Sequence, residues 1–291
     1  MSAGPERENW FTEYCEESGS AFSLRTTREL HDSHSRYQRI QVFATTNFGN
    51  LLVLDGFVML SARDNFIYHE MMTHPALCTH TDPRHVLIVG GGDCGCLREV
   101  LKHDSVKRVD QVELDAEVTR VSEKFFPELC TANDDPRASL HFTDAIDWVE
   151  NTPPQTYDVI IVDSTDPIGQ AARLFAAPFY RACRQALRDD GLLAVQSESP
   201  LIHLDLILSI RAQMTAAGFT HLDTLNFPQC TYPSGWWSAT LASTRGAHDR
   251  IRSTREISGC GYYTAEVHRA ALTPPAFLRA AITAPHAPEA S

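Results

Sequence analysis

Along the first eighty residues, apolar and polar positions alternate with the two-residue period of strands, most plainly over Tyr37-Gln38-Arg39-Ile40-Gln41-Val42-Phe43. Turn residues 46–50 separate this run from Leu51–Leu54, and Asp55-Gly56 separates that in turn from Phe57–Leu60. The pattern predicts a meander of hairpins. A helical stretch, about Asn65 to Cys78, leads to a joint at Thr81-Asp82-Pro83. From Arg84 the rhythm changes. Short runs that are apolar on both faces (85–89, 109–112, 139–142, 157–162 and 191–195) alternate with helical stretches such as 116–126 and 179–187. Parallel strands covered by helices on both sides need that pattern. A longer helix over 204–217 stops at Gly218, and two last strands are predicted near 221–227 and 236–243. The alanine- and proline-rich end, 274–291, is expected to fray.

The expected fold is therefore α/β: a Rossmann-like, doubly wound and mostly parallel sheet of the class I methyltransferase type, over residues 81–291. A small N-terminal β-hairpin domain, residues 1–80, precedes it. Composition narrows the setting. Of 291 residues, 43% are apolar and 21% charged, an ordinary globular balance. No run of eighteen apolar residues exists, so no membrane span is expected. The start, Met1 to Asn9, is polar and lacks the apolar stretch of an export signal, which with eight scattered cysteines points to reduced thiols in the cytoplasm. Neither cysteines nor histidines fall at metal-ligand spacing, so no metal is expected. A net charge of −12 repels nucleic acid and is compatible with a cationic substrate, although solubility alone explains it equally well.

Candidate chemistry gathers at the C-terminal ends of the predicted parallel strands, where this fold binds ligands. The first runs into Gly90-Gly91-Gly92-Asp93-Cys94-Gly95 and then a helix. Such a turn lets a ligand approach the backbone closely, though a tight turn needs glycine without any ligand. Glu113 ends the next strand, about twenty residues further on, where an acidic residue accepts from ribose hydroxyls. Asp144, after the third strand, suits an adenine amino group or an ordinary helix N-cap equally. Asp93 is the informative position. A carboxylate at a helix start repels phosphate or an amino-acid carboxylate and suits a nucleoside with a cationic arm, or else it merely complements the helix dipole. Asp163 and Asp166, three apart after the fourth strand, suit an amine: one carboxylate takes a proton while the other holds an ammonium.

These segments, in order, resemble the spermidine synthases over about residues 10–282: Tyr37-Gln38, Leu54-Asp55-Gly56, Tyr68-His69-Glu70-Met71, Gly90-Gly91-Gly92-Asp93, Leu97-Arg98-Glu99-Val100, Val112-Glu113-Leu114-Asp115, Asp163-Ser164-Thr165-Asp166-Pro167 and Thr231-Tyr232-Pro233-Ser234-Gly235. The resemblance implies aminopropyl transfer from decarboxylated S-adenosylmethionine, as co-substrate and with no cofactor, to putrescine or a related polyamine. It implies Asp163 as general base, and Tyr68, His69, Asp93, Ser164, Thr165, Asp166, Gln196 and Tyr232 around the amine and aminopropyl arm. Gln38, Gly90, Gly91, Gly92, Glu113, Asp144, Ala145 and Gln170 fall to the nucleoside. Without the resemblance, Tyr68 and His69 read as core residues of an amphipathic helix. A homodimer or homotetramer is implied as well. Four positions depart from the family pattern. Cys94 replaces a glycine, and its side chain must avoid positive φ or tolerate strain. Met59 replaces a glutamine, Asn65 a glutamate near the acceptor side, and Gln170 a proline. Two rivals stand beside this reading: a methyltransferase using intact S-adenosylmethionine, and a binding protein without catalysis.

Overall fold

The structure, a computed structural model, describes residues 9–165, 169–246, 248, 251 and 257–284. Its first layer is a five-stranded antiparallel sheet, β1 (Trp10–Cys15), β2 (Ser20–His34), β3 (Arg39–Thr45), β4 (Asn50–Leu54) and β5 (Phe57–Ser61), paired in chain order. The hairpins at 46–49 and Asp55-Gly56 fall where the turn residues predict them. β1 and the fifteen-residue β2 carry no clear alternation of burial, which is why their limits are not legible in the sequence.

Helix α1 (Asn65–Thr79) joins this layer to a seven-stranded sheet. The chain continues through β6 (His85–Gly90), α2 (Gly95–Val100), β7 (Arg108–Glu113), α3 (Ala116–Phe125), β8 (Ala138–Phe142), α4 (Ala145–Glu150) and β9 (Tyr157–Asp163). After a 3-10 segment at Gly169–Phe175 come α5 (Ala177–Ala186), β10 (Leu187–Gln196), α6 (Leu204–Ala216), β11 (His221–Pro228), β12 (Trp236–Ser243), α7 (Ala265–Ala271) and α8 (Ala276–Thr283). The strand order is β11-β12-β10-β9-β6-β7-β8. β8, β7, β6, β9 and β10 are parallel, and β12 and β11 close the edge antiparallel. The chain winds outward from β6 through β7 to β8, then returns to start again at β9 on the other side. That places the topological switch, and the ligand crevice it opens, between β6 and β9.

Burial explains the sheet. The apolar runs of β6 and β9 are inaccessible on both faces. α3 is two-sided, with Val118 and Val121 inward, and Asp115 caps it by accepting from the Glu117 N–H. α1 is different, because thirteen of its fifteen residues are buried, polar ones included. Each of those polar groups needs a partner inside the protein. Glu70 accepts from the N–H groups of Gly261, Tyr262 and Tyr263 at 2.7–2.8 Å, fixing the segment before α7. His74 bridges the Glu99 carboxylate and the His103 ring, both at 3.0 Å. α8 occupies part of the tail expected to fray, and residues 285–291 lie outside the described residues.

Glu70 is 1% exposed, and its removal takes the acceptor from three N–H groups, that of Tyr263 in a buried residue. Glu70→Ala should cost about 3 kcal/mol or more of stability. Urea unfolding at fixed protein concentration checks this through a lowered midpoint.

Candidate active site

The Gly90–Gly92 turn is stitched directly to the end of β9. Gly91 N–H donates to the Asp163 carbonyl at 2.8 Å, and Gly90 has φ +81°, with the place of a Cβ only 2.2 Å from that same oxygen. Only glycine fits there. Gln111, buried beneath the turn, donates to the Gly91 carbonyl at 2.8 Å. Cys94 does adopt the left-handed conformation, φ +68°, so this chain holds a strained residue where glycine would be relaxed.

Two cavities meet beside Asp163, which lines the first of them. The first, ≈ 460 Å³, runs along the strand ends from Gln38 past Gly90, Gly91, Gly92 and Asp93 to Glu113, Asp144 and Ala145. Leu52, Leu54, Val118, Ile146 and Leu174 supply apolar walls. The second, ≈ 330 Å³, shares Met59, Tyr68, Ser164, Thr165 and Tyr232 with the first and adds Gln196, Glu13, Glu198 and Trp237. Nearly all the residues singled out from the sequence therefore line one connected space. His69 is the exception: it lines neither cavity and stands behind Asp93, its Nε2 3.3 Å from the carboxylate. Asp166 and the side chain of Gln170 lie outside the described residues. Of the departures, Met59 does border both cavities, but Asn65 does not. Its amide turns inward and donates to the carbonyls of Ser61 and Ala62. The expected loss of acceptor-side charge at Asn65 therefore has no seat in the cavity wall.

The carboxylates sit in contrasting surroundings. Asp163 accepts from the Tyr68 hydroxyl at 2.7 Å, yet burial, with the nearby Asp93 charge, raises its pKa. Asp93 is also buried, but His69 and the Gly95 N–H, which donates to it at 2.6 Å, hold its pKa down. Environments that push two neighbouring acids apart assign one to hold charge and the other to exchange a proton. Burial pushes Glu113 up to about 7, even though Asp115 N–H donates to it at 2.8 Å. Asp144 serves both readings: it caps α4 through the Ile146 N–H and faces the first cavity. Two buried polar atoms at the junction, Asp163 Oδ2 and Ser164 Oγ, have no protein partner.

Tyr232 and Tyr68 form the passage between the cavities, their rings 5.7 Å apart. Tyr232 donates to the Met59 carbonyl at 2.6 Å and leans on Trp237. Glu13, Glu198 and Trp237 escaped the sequence reading. Glu198 adopts φ +62° two residues after Gln196, whose side-chain Oε1 accepts its N–H, but nothing in its local sequence marks it. Among the described residues, one group has its ligand atoms close enough for a metal ion: His74, Glu99 and Cys260. Arg98 and Lys102 already occupy both Glu99 oxygens, and two cations there oppose a third.

A parallel sheet wound from a central switch, with a carboxylate-lined cavity at its strand ends and an antiparallel sheet against it, defines a Rossmann-like class. Within that class, residues 65–251 match the spermine/spermidine synthase domain, and residues 9–62 match the spermidine synthase tetramerisation domain. The chain belongs to the spermine/spermidine synthase family. It is 56% identical over 273 residues to the polyamine aminopropyltransferase of Nitrosococcus oceani, covering 94% of this chain and 96% of that one. Against the same enzyme of Methylococcus capsulatus it is 52% identical over 275 residues, with 94% and 96% covered. Among solved structures it is similar to a spermidine synthase in complex with the transition state analogue AdoDATO, with TM-score 0.89, 33% identity and 97% of each chain covered. The spermidine synthase of Thermotoga maritima aligns with TM-score 0.88 and 31% identity, over 97% of this chain and 96% of that one.

The His69 ring packs so closely on Gly95 that a Cβ there would lie 2.2 Å from its Cε1. Burial opposes the His69 imidazolium, but Asp93 outweighs it and raises the pKa. Gly95→Ala should displace the ring from Asp93, and the imidazole midpoint should fall in an NMR titration.

Proposed function

We propose that the protein transfers the aminopropyl group of decarboxylated S-adenosylmethionine to an amine of putrescine or a related di- or polyamine, releasing 5'-methylthioadenosine. The observation that carries this reading is Asp163, a carboxylate of raised pKa that lines the first cavity and accepts from Tyr68, which lines both. One cavity has the glycine-rich turn and acidic strand ends that suit a nucleoside. The other has aromatic walls and glutamates that suit the methylenes and cations of a polyamine. The names of the relatives, and a transition state analogue bound to a similar spermidine synthase, support it.

In this mechanism Glu113 accepts from the ribose hydroxyls, and Asp144 and Ala145 meet the base. The nonpolar walls hold the ring, Gln38 closes the edge and Gln170 adds a nucleoside contact. Asp93, kept ionised by His69, holds the cationic arm. The acceptor lies between Tyr68 and Tyr232, near Ser164, Thr165 and Gln196, and Asp166 is the further amine ligand that the family resemblance implies. A free alkylamine, like lysine, has a pKa of about 10 and is mostly protonated at neutral pH. Asp163 takes its proton, and the freed lone pair attacks the carbon beside the sulfonium. The C–N bond forms as C–S breaks, and the sulfur leaves as a neutral thioether that needs no acid. The remaining catalysis is alignment of nitrogen, carbon and sulfur.

We place the domain division near residue 80, supported by the separate sheets on either side of α1. Oligomerisation, as a homodimer or homotetramer, would run through the N-terminal sheet, supported by the tetramerisation-domain match over residues 9–62. Among the described residues no helix is long and apolar enough to cross a membrane. Eight free thiols suit a reducing cytoplasm.

Mixing the protein with decarboxylated S-adenosylmethionine and a panel of amines should yield methylthioadenosine and an extended amine by mass spectrometry. Asp163→Asn should slow this by about 10²–10⁴-fold while leaving donor binding intact. Donor left unconsumed with every amine would defeat the reading. Glu113 supplies a pH signature. Ribose hydroxyls donate to its anion, and the empty site loses that proton near 7. Calorimetric affinity for methylthioadenosine should therefore rise several-fold from pH 6 to 8, and Glu113→Gln should flatten the profile.

A further inference from the structure

Asp64 stands at the N-cap position of α1, where an aspartate ordinarily accepts from the first backbone N–H groups of its helix. It makes no such bond. Its carboxylate turns away and is 4% exposed. One oxygen accepts from the Ser61 hydroxyl at 2.6 Å. The other accepts from the Thr231 N–H at 3.2 Å and the Cys230 thiol at 3.1 Å, more than 160 positions later in the chain. Tyr232 follows immediately, and its hydroxyl donates to the carbonyl of Met59 on β5. Two adjacent residues of one loop are thus tied to the two ends of one short stretch: Thr231 to Asp64, and the Tyr232 hydroxyl to Met59.

We propose that Asp64 is a positioning residue for the acceptor, acting through Tyr232, and that the helix forgoes its own cap for this purpose. The inference rests on the transferase reading above. Asp64 lines neither cavity at Asp163, so it touches neither substrate. Tyr232 touches both cavities, as do its partners Tyr68 and Met59, whereas Trp237 lines the acceptor side only. A loop released from Asp64 turns Tyr232 out of the acceptor passage. Among the described residues, the nucleoside positions on β6, β7 and α4 share no bond with that loop. The burden therefore falls mainly on the acceptor.

Cys230 reports on the same contact. Its thiol is exposed to reagents, yet burial together with Asp64 pushes its pKa up to about 11. Removing the carboxylate removes a negative charge and a hydrogen-bond acceptor for the S–H, which favours thiolate and speeds alkylation.

The test compares native protein, Asp64→Ala and Asp64→Asn, using decarboxylated S-adenosylmethionine, putrescine and iodoacetamide. Asp64→Ala should raise the acceptor KM about tenfold, with methylthioadenosine affinity within about twofold of native. Asp64→Asn retains one oxygen acceptor for the Thr231 N–H and should lie between the two. Alkylation of Cys230, followed by peptide mass spectrometry, should be several-fold faster in both variants. Should Asp64→Ala not fold, Asp64→Asn carries the same comparison. A native acceptor KM in a folded variant, or an equal loss of donor and acceptor binding, would overturn the inference while leaving the transferase reading in place. Failure of the native protein to extend any amine would instead overturn that reading, and the acceptor role of Asp64 with it.

Discussion

A helix buried along nearly its whole length cannot leave its polar side chains in water, and α1 carries several. An unmatched buried polar group costs about 1–3 kcal/mol, and most of those on α1 are matched by a donor or acceptor from elsewhere in the chain. The partners are what assemble the molecule. Tyr68 meets the end of β9, His69 meets the glycine-rich turn, Glu70 meets the segment before α7 and His74 meets α2. Just ahead of the helix, Asp64 meets the loop before β12. The requirement to satisfy one helix therefore draws the strand ends, the turn and the tail to a common place. Stability and site geometry share the same bonds.

That common place brings carboxylates together, and their mutual repulsion is the central electrostatic fact of the site. Asp93 and Asp163 cannot both be charged cheaply in a buried setting. The protein resolves the conflict asymmetrically. His69 and the Gly95 N–H favour the charge on Asp93, whereas at Asp163 burial and the Asp93 charge outweigh His69, the Tyr68 hydroxyl and the Cys96 thiol, and its pKa rises. Gly95 is part of the same arrangement, because only a residue without a Cβ lets the His69 ring come so near. Acidic residues read along the chain do not reveal which acid holds charge; the groups that surround each one do.

The parallel sheet was legible because its strands are buried on both faces, leaving apolar runs such as 85–89 and 157–162 with turn chemistry at their ends. The residues that line the first cavity at those ends followed from topology. What could not be read depends on contacts between distant segments. Glu13 and Glu198 enter the acceptor cavity from β1 and from the loop after β10, and neither sits in a patterned stretch. Asn65 reads as a pocket residue by its nearness to Tyr68 in sequence. In the helix it faces the preceding turn, because a side chain at the first helical position reaches the carbonyls just before it. Cys94 was visible as an oddity, but only its backbone reveals that the strain is accepted and not avoided.

The acceptor side faces a conflict that its residues divide among themselves. Glutamates attract a polyamine as a cation, yet the reacting nitrogen must be neutral. A cavity that only stabilised ammonium would bind tightly and react slowly, since binding energy spent equally on ground and transition states does not raise the rate. The structure separates the two demands in space. Glu13 and Glu198 lie in the second cavity alone, where a distal cation can remain charged. Asp163, in the first cavity beside the junction, is the carboxylate that burial and Asp93 have made more basic, which suits it to the proton-accepting role proposed for it. The aromatic passage of Tyr68 and Tyr232 between them offers methylenes a dry surface and gives neither end a further charge.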